Sequence, residues 1–231
     1  MDPIKLGQHI SEPFNQELED IRHKVSVLGQ LVQQQLEFAL HAFITMDTEL
    51  AEGVIKLENQ VDLIHSSLDQ KCVNTLALRQ PTAFDLRMLV TVIKVVNDLI
   101  LISDQAERMC KMIIQSANVN SKKGQYHELH HMGELVKTML KNSLDAFIKM
   151  STDDIAAMSG IDQILESEHT SICRQLISSL MEDPRNITRT LDALLAVKAL
   201  ERIGDYICHI CGHLVYMMTG EITQKYALTK Q

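Results

Sequence analysis

Residues 40–46 read LHAFITM, and residues 144–150 read LDAFIKM. The second stretch follows the first at an offset of 104, and the likeness continues on its C-terminal side. At the same offset Leu57 faces Ile161, Glu58 faces Asp162, Val61 faces Leu165, Asp62 faces Glu166 and His65 faces His169. Further on, Pro81 and Pro184 stand 103 apart, and Asp104 and Asp205 stand 101 apart. A drift of three residues is what one shorter loop produces. Self-similarity at a fixed spacing marks a single structural unit written twice.

Each copy contains three helical patterns. In the first they run over 14–45, 48–78 and 82–117, and in the second over 125–150, 152–181 and 185–218. Ile21, Val25, Leu28, Val32, Leu36 and Ala39 recur at helical spacing and form one apolar stripe. Asp47 and Ser151 are suitable N-caps, and Asp154 follows Ser151 at capping-box spacing. Pro81 and Pro184 stand where third helices should begin, a position at which a missing N–H costs nothing. The polar stretch NVNSKKGQ at 118–125 is the clear linker. Short loops between consecutive helices imply antiparallel neighbours. The expected fold is therefore all-α, with two tandem homologous up-down three-helix bundles over 14–117 and 125–218. A unit of this size holds only a marginal core alone, so the bundles should share an interface.

Composition narrows the function. A net charge of −8 argues against nucleic-acid binding, which needs a basic face, and suits a protein that binds cations. The five cysteines are odd in number and lack framework spacing, which points to reduced thiols in a cytoplasm. MDPIKLGQHISEPF shows no basic region followed by an apolar one, so no signal peptide is expected. The most apolar run, Leu89 to Ile102, is interrupted by Lys94, Asn97 and Asp98. It is also shorter than the ~20 residues a membrane span needs, and reads as a buried helix.

The candidate chemistry lies in acids spaced i, i+4, which share one helix face. Second helices carry Glu58/Asp62 and Asp162/Glu166. Third helices carry Glu201/Asp205 in the second copy and Asp104 alone in the first, because Ile100 stands where the second copy has Glu201. One such pair is ordinarily a solvated face. Two pairs at the same repeat position, with Asp205 flanked by apolar turns, argue for more. Facing helices with such pairs can surround a cation with carboxylates, and oxygen donors suit hard ions such as Mg or Mn.

Other motifs weigh less. ESEH at 166–169 and ELHH at 128–131 contain Glu-x-x-His, as ferritin-like di-iron proteins do, but that fold needs a four-helix bundle with two further Glu residues. His127, His130 and His131 read as a solvated first turn, while His65 and His169, each three residues after the second acid, are either outer ligands or ordinary helix-surface residues. Cys208-x-x-Cys211 lies mid-helix, away from the N-terminus where a redox thiolate is stabilised, and has no second pair to complete a zinc site. Glycine-rich phosphate loops are absent, and no Ser or Cys stands beside a base and an orienting acid, so nothing argues for an enzyme.

ALERIGDYICHI at 199–210, on the last helix of a doubled three-helix unit, resembles the PhoU family, as does RQPTAFDLR at 79–87 on entry to the third helix. The resemblance covers about 14–218. It implies a cytoplasmic, often dimeric regulator of bacterial phosphate uptake with no catalytic activity. Such a regulator would couple the ATPase subunit of a phosphate ABC transporter to a sensor histidine kinase, repress signalling when phosphate is plentiful, and reach the membrane only through partners. It implies metal ions (Mg, Mn, Fe or Zn) on the acidic motifs. Carried over, these are Glu201, Asp205, Asp162 and Glu166 in the second copy and Glu58, Asp62 and Asp104 in the first. The first copy departs from the pattern at Ile100, Leu101 and Ser103, where the family has Glu, Arg and Gly, so its site is expected to be weaker or lost. A ferritin-like di-iron protein and a helical adaptor without metal remain the alternatives.

Overall fold

The structure, a computed structural model, describes residues 12–116, 127–153 and 155–221, with the backbone alone at 127, 128, 156 and 157. Within them lie six α-helices: α1 (Glu12–Thr45), α2 (Thr48–Arg79), α3 (Ala83–Ser116), α4 (His127–Lys149), α5 (Ile155–Glu182) and α6 (Ile187–Thr219). The linker at 118–125 lies outside the described residues.

The apolar stripe of α1 is buried along its whole length, from Leu18 and Ile21 to Ala39. Both first helices end in the same way. Met46 and Met150, at equivalent repeat positions, take left-handed φ values of 55° and 52°. The next N–H reaches back to close the last turn, from Asp47 to Ala42 O (3.0 Å) and from Ser151 to Ala146 O (3.2 Å). This is the six-to-one bond of a Schellman ending. A side chain at such a φ costs roughly 1–2 kcal/mol, yet the repeat keeps methionine in both copies.

Two helix starts differ from expectation. The second helix of the second copy begins at Ile155 instead of 152. Ser151 Oγ accepts from the Asp153 N–H (3.1 Å) and donates to Asp153 Oδ2 (2.9 Å), and the Ile155 N–H bonds Thr152 O. The local turn thus takes the bonds a helix would have used. The partner expected for Ser151, Asp154, lies outside the described residues. Pro184 opens a single 3₁₀ turn, Pro184–Asn186, before α6. Asp183 holds that turn by accepting from the Arg185 N–H (3.2 Å) and from Asn186 Nδ2 (3.0 Å).

Each copy folds as three mutually packed helices. The copies are then joined through α3 against α6 and α1 against α4, and among the described residues α3 against α6 is the most extensive packing of any pair. Apolar side chains from all six helices form one connected core. Among the described residues helix α2 packs on α1 and α3 only, and shows a narrow buried stripe of Ala51, Val54, Val61, Leu68, Cys72 and Thr75. The outer helices α2 and α5 leave much of their surface exposed, including apolar side chains such as Leu63 and Leu78 on α2 and Ile177 and Met181 on α5. Thr91 Oγ1 donates to His213 O and Arg87 Nε to Met217 O, both at 3.3 Å, while Ser116 Oγ donates to Asp192 Oδ2 (2.5 Å). The start of α3 meets the end of α6 and the reverse, so the two run antiparallel. Among the described residues no helix is long and apolar enough to cross a membrane.

Candidate metal centre

In the second copy, Asp162 on α5 is buried, at 6% exposure, against α6. A Cβ placed on Gly204 would stand 3.9 Å from Asp162 Oδ1 and under 3.0 Å from Leu165 Cδ2. Helix α5 can approach this closely because residue 204 has no side chain. Gly204 immediately precedes Asp205 and follows Glu201 by three residues, so the buried carboxylate lies at the turn that carries both α6 acids. Glu201 and Asp205 are half-buried, and Glu201 accepts from Lys198 Nζ on its own helix (2.5 Å). Glu166 is exposed and lines an open groove with Gln163, Ser167, Thr170 and Arg174.

The first copy arranges its acids differently. Asp104 on α3 is half-buried, and its carboxyl is raised above the ordinary 3.8, chiefly by burial. Arg108 opposes the rise, while the negative charges of Glu107 and Asp62 add to it. Asp62 on α2 is exposed and within electrostatic reach of Asp104. Glu58, one turn before Asp62, is occupied by neutral groups. Gln35 Nε2 donates to Glu58 Oε2 at 2.6 Å, and Ser103 Oγ lies 2.6 Å from the same oxygen. Ser103 Oγ also touches Gln35 Oε1. Gln35 and Ser103 are both fully buried. Ile100, where the second copy has Glu201, packs on the apolar core.

Gln35 was not singled out from the sequence. Its signal is a polar residue on a buried stripe, between Val32 and Leu36, with Met139 at the equivalent position of the other copy. Asp98, two residues before Ile100, is buried and faces α6 of the other copy, with Oδ2 3.3 Å from His213 Nε2 and Oδ1 3.7 Å from His209 Nδ1.

The remaining candidates have contacts of their own, although Cys173 lies within electrostatic reach of Glu201 and Cys211 within reach of Asp162. His65 pairs with Asp69 (3.5 Å), His131 with Glu168 (2.5 Å), and His169 Nε2 lies 3.6 Å from the Cys173 thiol. Burial pushes the Cys211 thiol up to about 12, and it sits against Met158 Sδ at 3.7 Å. Cys211 is therefore a core residue, in keeping with its mid-helix position. Among the described residues, no group of three or more His, Cys, Asp or Glu side chains is arranged to hold a metal ion. The donor set of the second copy still suits a hard cation, because its donors are carboxylate oxygens.

Comparison with known proteins agrees with the repeat. The PhoU domain matches twice, over residues 25–113 and 129–213. The phosphate-specific transport system accessory protein PhoU of Escherichia coli is 36% identical over 226 residues, covering 96% of this chain and 91% of its own. The homologous accessory protein of Pseudomonas aeruginosa is 35% identical, covering 97% and 93%. The crystal structure of PhoU from Pseudomonas aeruginosa superposes with a TM-score of 0.86 at 35% identity, covering 90% of this chain and all of that one. The phosphate transport system regulatory protein PhoU from Streptococcus pneumoniae gives 0.82 at 29% identity, covering 91% and 99%.

Proposed function

This chain belongs to the PhoU family of phosphate-transport accessory proteins, which are regulators and not enzymes, and from that premise we propose how it acts. It works in the cytoplasm as a homodimer, docks on the ATPase subunit of a phosphate ABC transporter, and holds a sensor histidine kinase in its repressive state when phosphate is plentiful. The repeats divide at 118–125, into bundles over 14–117 and 125–218. The observation that carries this reading is the match to two PhoU domains across nearly the whole chain. Charge supports an indirect mode of sensing. A protein of net charge −8 is a poor receptor for a free phosphate anion, so transporter state is read through protein contacts.

The metal-binding part of the proposal rests on the second copy. Asp162, Glu201, Asp205 and Glu166 are the residues that would hold a Mg, Mn, Fe or Zn ion through their carboxylate oxygens. The support is the burial of Asp162 beside Gly204, next to the turn that carries both α6 acids. A bound ion would neutralise these acids and stiffen α5 against α6. In the first copy, Glu58, Asp62 and Asp104 are the corresponding acids, without the partner that Ile100 replaces. No observation favours a di-iron centre, since His169 contacts Cys173.

Deletion of the gene tests the regulatory role directly. Phosphate-starvation genes should then be expressed in phosphate-rich medium, and unchanged repression would remove the proposal. Pull-down of the transporter ATPase by the purified chain tests the first coupling step.

A further inference from the structure

The two copies differ around one carboxylate in a concerted way. In the first copy Glu58 is met by the Gln35 amide and the Ser103 hydroxyl, both from fully buried side chains. At the equivalent positions the second copy has Met139 and Gly204, which carry no side-chain hydrogen-bond donor. It also has Glu201 where the first copy has Ile100. The first copy has thus gained two neutral donors and lost one carboxylate, and the second has the reverse. Packing follows the same division. Leu165 Cδ2 occupies the space a Cβ on Gly204 would need, whereas the smaller Val61 stands at the equivalent position of the first copy, where Ser103 is accommodated.

We infer that Gln35 and Ser103 are internal ligands, which take the place of a cation in the first copy and make that half of the molecule indifferent to metal. This deepens the metal-binding reading of the second copy and rests on it. The physical reason is satisfaction of a half-buried acceptor. A carboxylate partly withdrawn from water is stabilised by a cation or by hydrogen-bond donors, and Glu58 Oε2 already has two contacts from fully buried side chains, one on α1 and one on α3. Ile100 then removes the second carboxylate a cation would need. The result is an asymmetric regulator, in which only the second copy responds to metal. Chelation would loosen only the second copy.

The test counts Mn2+ bound per full-length, metal-stripped chain by equilibrium dialysis with electron paramagnetic resonance. Four proteins are compared: the native sequence, Asp205→Ala, the triple variant Gln35→Met/Ser103→Gly/Ile100→Glu, which gives the first copy the second copy's residues at these positions, and that triple variant carrying Asp205→Ala. We expect Asp205→Ala to abolish binding in the native sequence, the triple variant to bind twice as much as native, and the triple variant carrying Asp205→Ala to return to the native amount. If Asp205→Ala in the otherwise native chain leaves half the Mn2+ in place, the first copy already binds metal and the inference is wrong, while the metal reading stands. A native chain that binds no Mn2+ overturns both. A folded triple variant with native uptake overturns the role of Gln35 and Ser103. Should circular dichroism show that the triple variant does not fold, the Asp205→Ala comparison decides alone.

Discussion

Leu144 of α4 lies over Gly29 of α1, so close that a Cβ at residue 29 would come within 3.0 Å of both its methyl carbons. The reciprocal contact is also present: Leu40 of α1 lies over Gly133 of α4, 2.9 Å from where a Cβ would stand. Both members of the second pair are related to the first by the repeat offset of 104. The junction between the copies therefore uses one surface twice, as an isologous dimer interface does. The antiparallel packing of α3 on α6 has the same symmetry. Close approach of α1 and α4 depends on the two glycines.

Substitution at that crossing should be destabilising despite alanine's better helix propensity. Gly29→Ala is expected to cost up to about 2 kcal/mol, because overpacking of about 1–3 kcal/mol is set against the ~1 kcal/mol that alanine gains over glycine in a helix. Urea unfolding with an unchanged slope would report it. Trimming the partner with Leu144→Val should make the same change cheaper. A higher urea midpoint for Gly29→Ala alone would show that the close approach is not what requires glycine.

The Leu165/Gly204 and Val61/Ser103 pairs should be exchangeable as pairs and not singly. Gly204→Ser alone is expected to lose about 1–3 kcal/mol through collision with Leu165. Adding Leu165→Val, to reproduce the first copy's pair, should recover stability beyond additivity, with a coupling of roughly 0.5–3 kcal/mol. Strict additivity in a double-mutant cycle would contradict the packing argument.

Acid should loosen the contact between the start of α1 and the end of α2. Asp20 is held below the ordinary carboxylate value of 3.8 by its hydrogen bond from Lys71, against a smaller opposing effect of burial. Glu17 is lowered by Arg79, whose Nε and Nη2 donate to its two oxygens at 3.1 and 2.5 Å. Because these folded-state values lie below the unfolded ones, their stabilisation is complete above the ordinary carboxylate range and is lost as pH falls through the folded-state values. Asp20 is substantially exposed, so Asp20→Asn should remove no more than about 0–1 kcal/mol at neutral pH, less in high salt. The wild-type and variant urea midpoints should converge well below 3.8, and divergence toward acid would refute the assignment.

Three thiols should be inert in the native protein. Burial raises Cys72 to about 11 and Cys110 and Cys211 to about 12, so almost no thiolate exists at mildly alkaline pH. Iodoacetamide followed by peptide mass spectrometry should find these three unlabelled until guanidinium unfolds the chain. Fast native labelling of Cys211 would argue that α5 and α6 open readily.

Much of the fold can be read from the chain because its signals are local or strictly periodic. The stripe from Ile21 to Ala39 defines α1 through spacing alone, and LHAFITM against LDAFIKM gives the repeat down to the left-handed turns at Met46 and Met150. Helix starts were less legible at Ser151 and Pro184, where short-range side-chain bonds compete with the first helical turn. The acid at Asp162 was legible as one of an i, i+4 pair. Its burial was not, because that depends on Gly204, a residue 42 positions away on another helix.

The sequence by itself determined six helices, their grouping into two copies and the inequality of the acidic motifs, since each is written in residue type at fixed spacing. Only the tertiary structure decided that Gln35 and Ser103 close on Glu58, that Asp98 turns away toward His213, and that Leu40 and Leu144 exchange places over two glycines. These contacts join positions with no common period. They are fixed by which helix faces meet when one shared core excludes water, and nothing in the local spacing of any one helix specifies its neighbour.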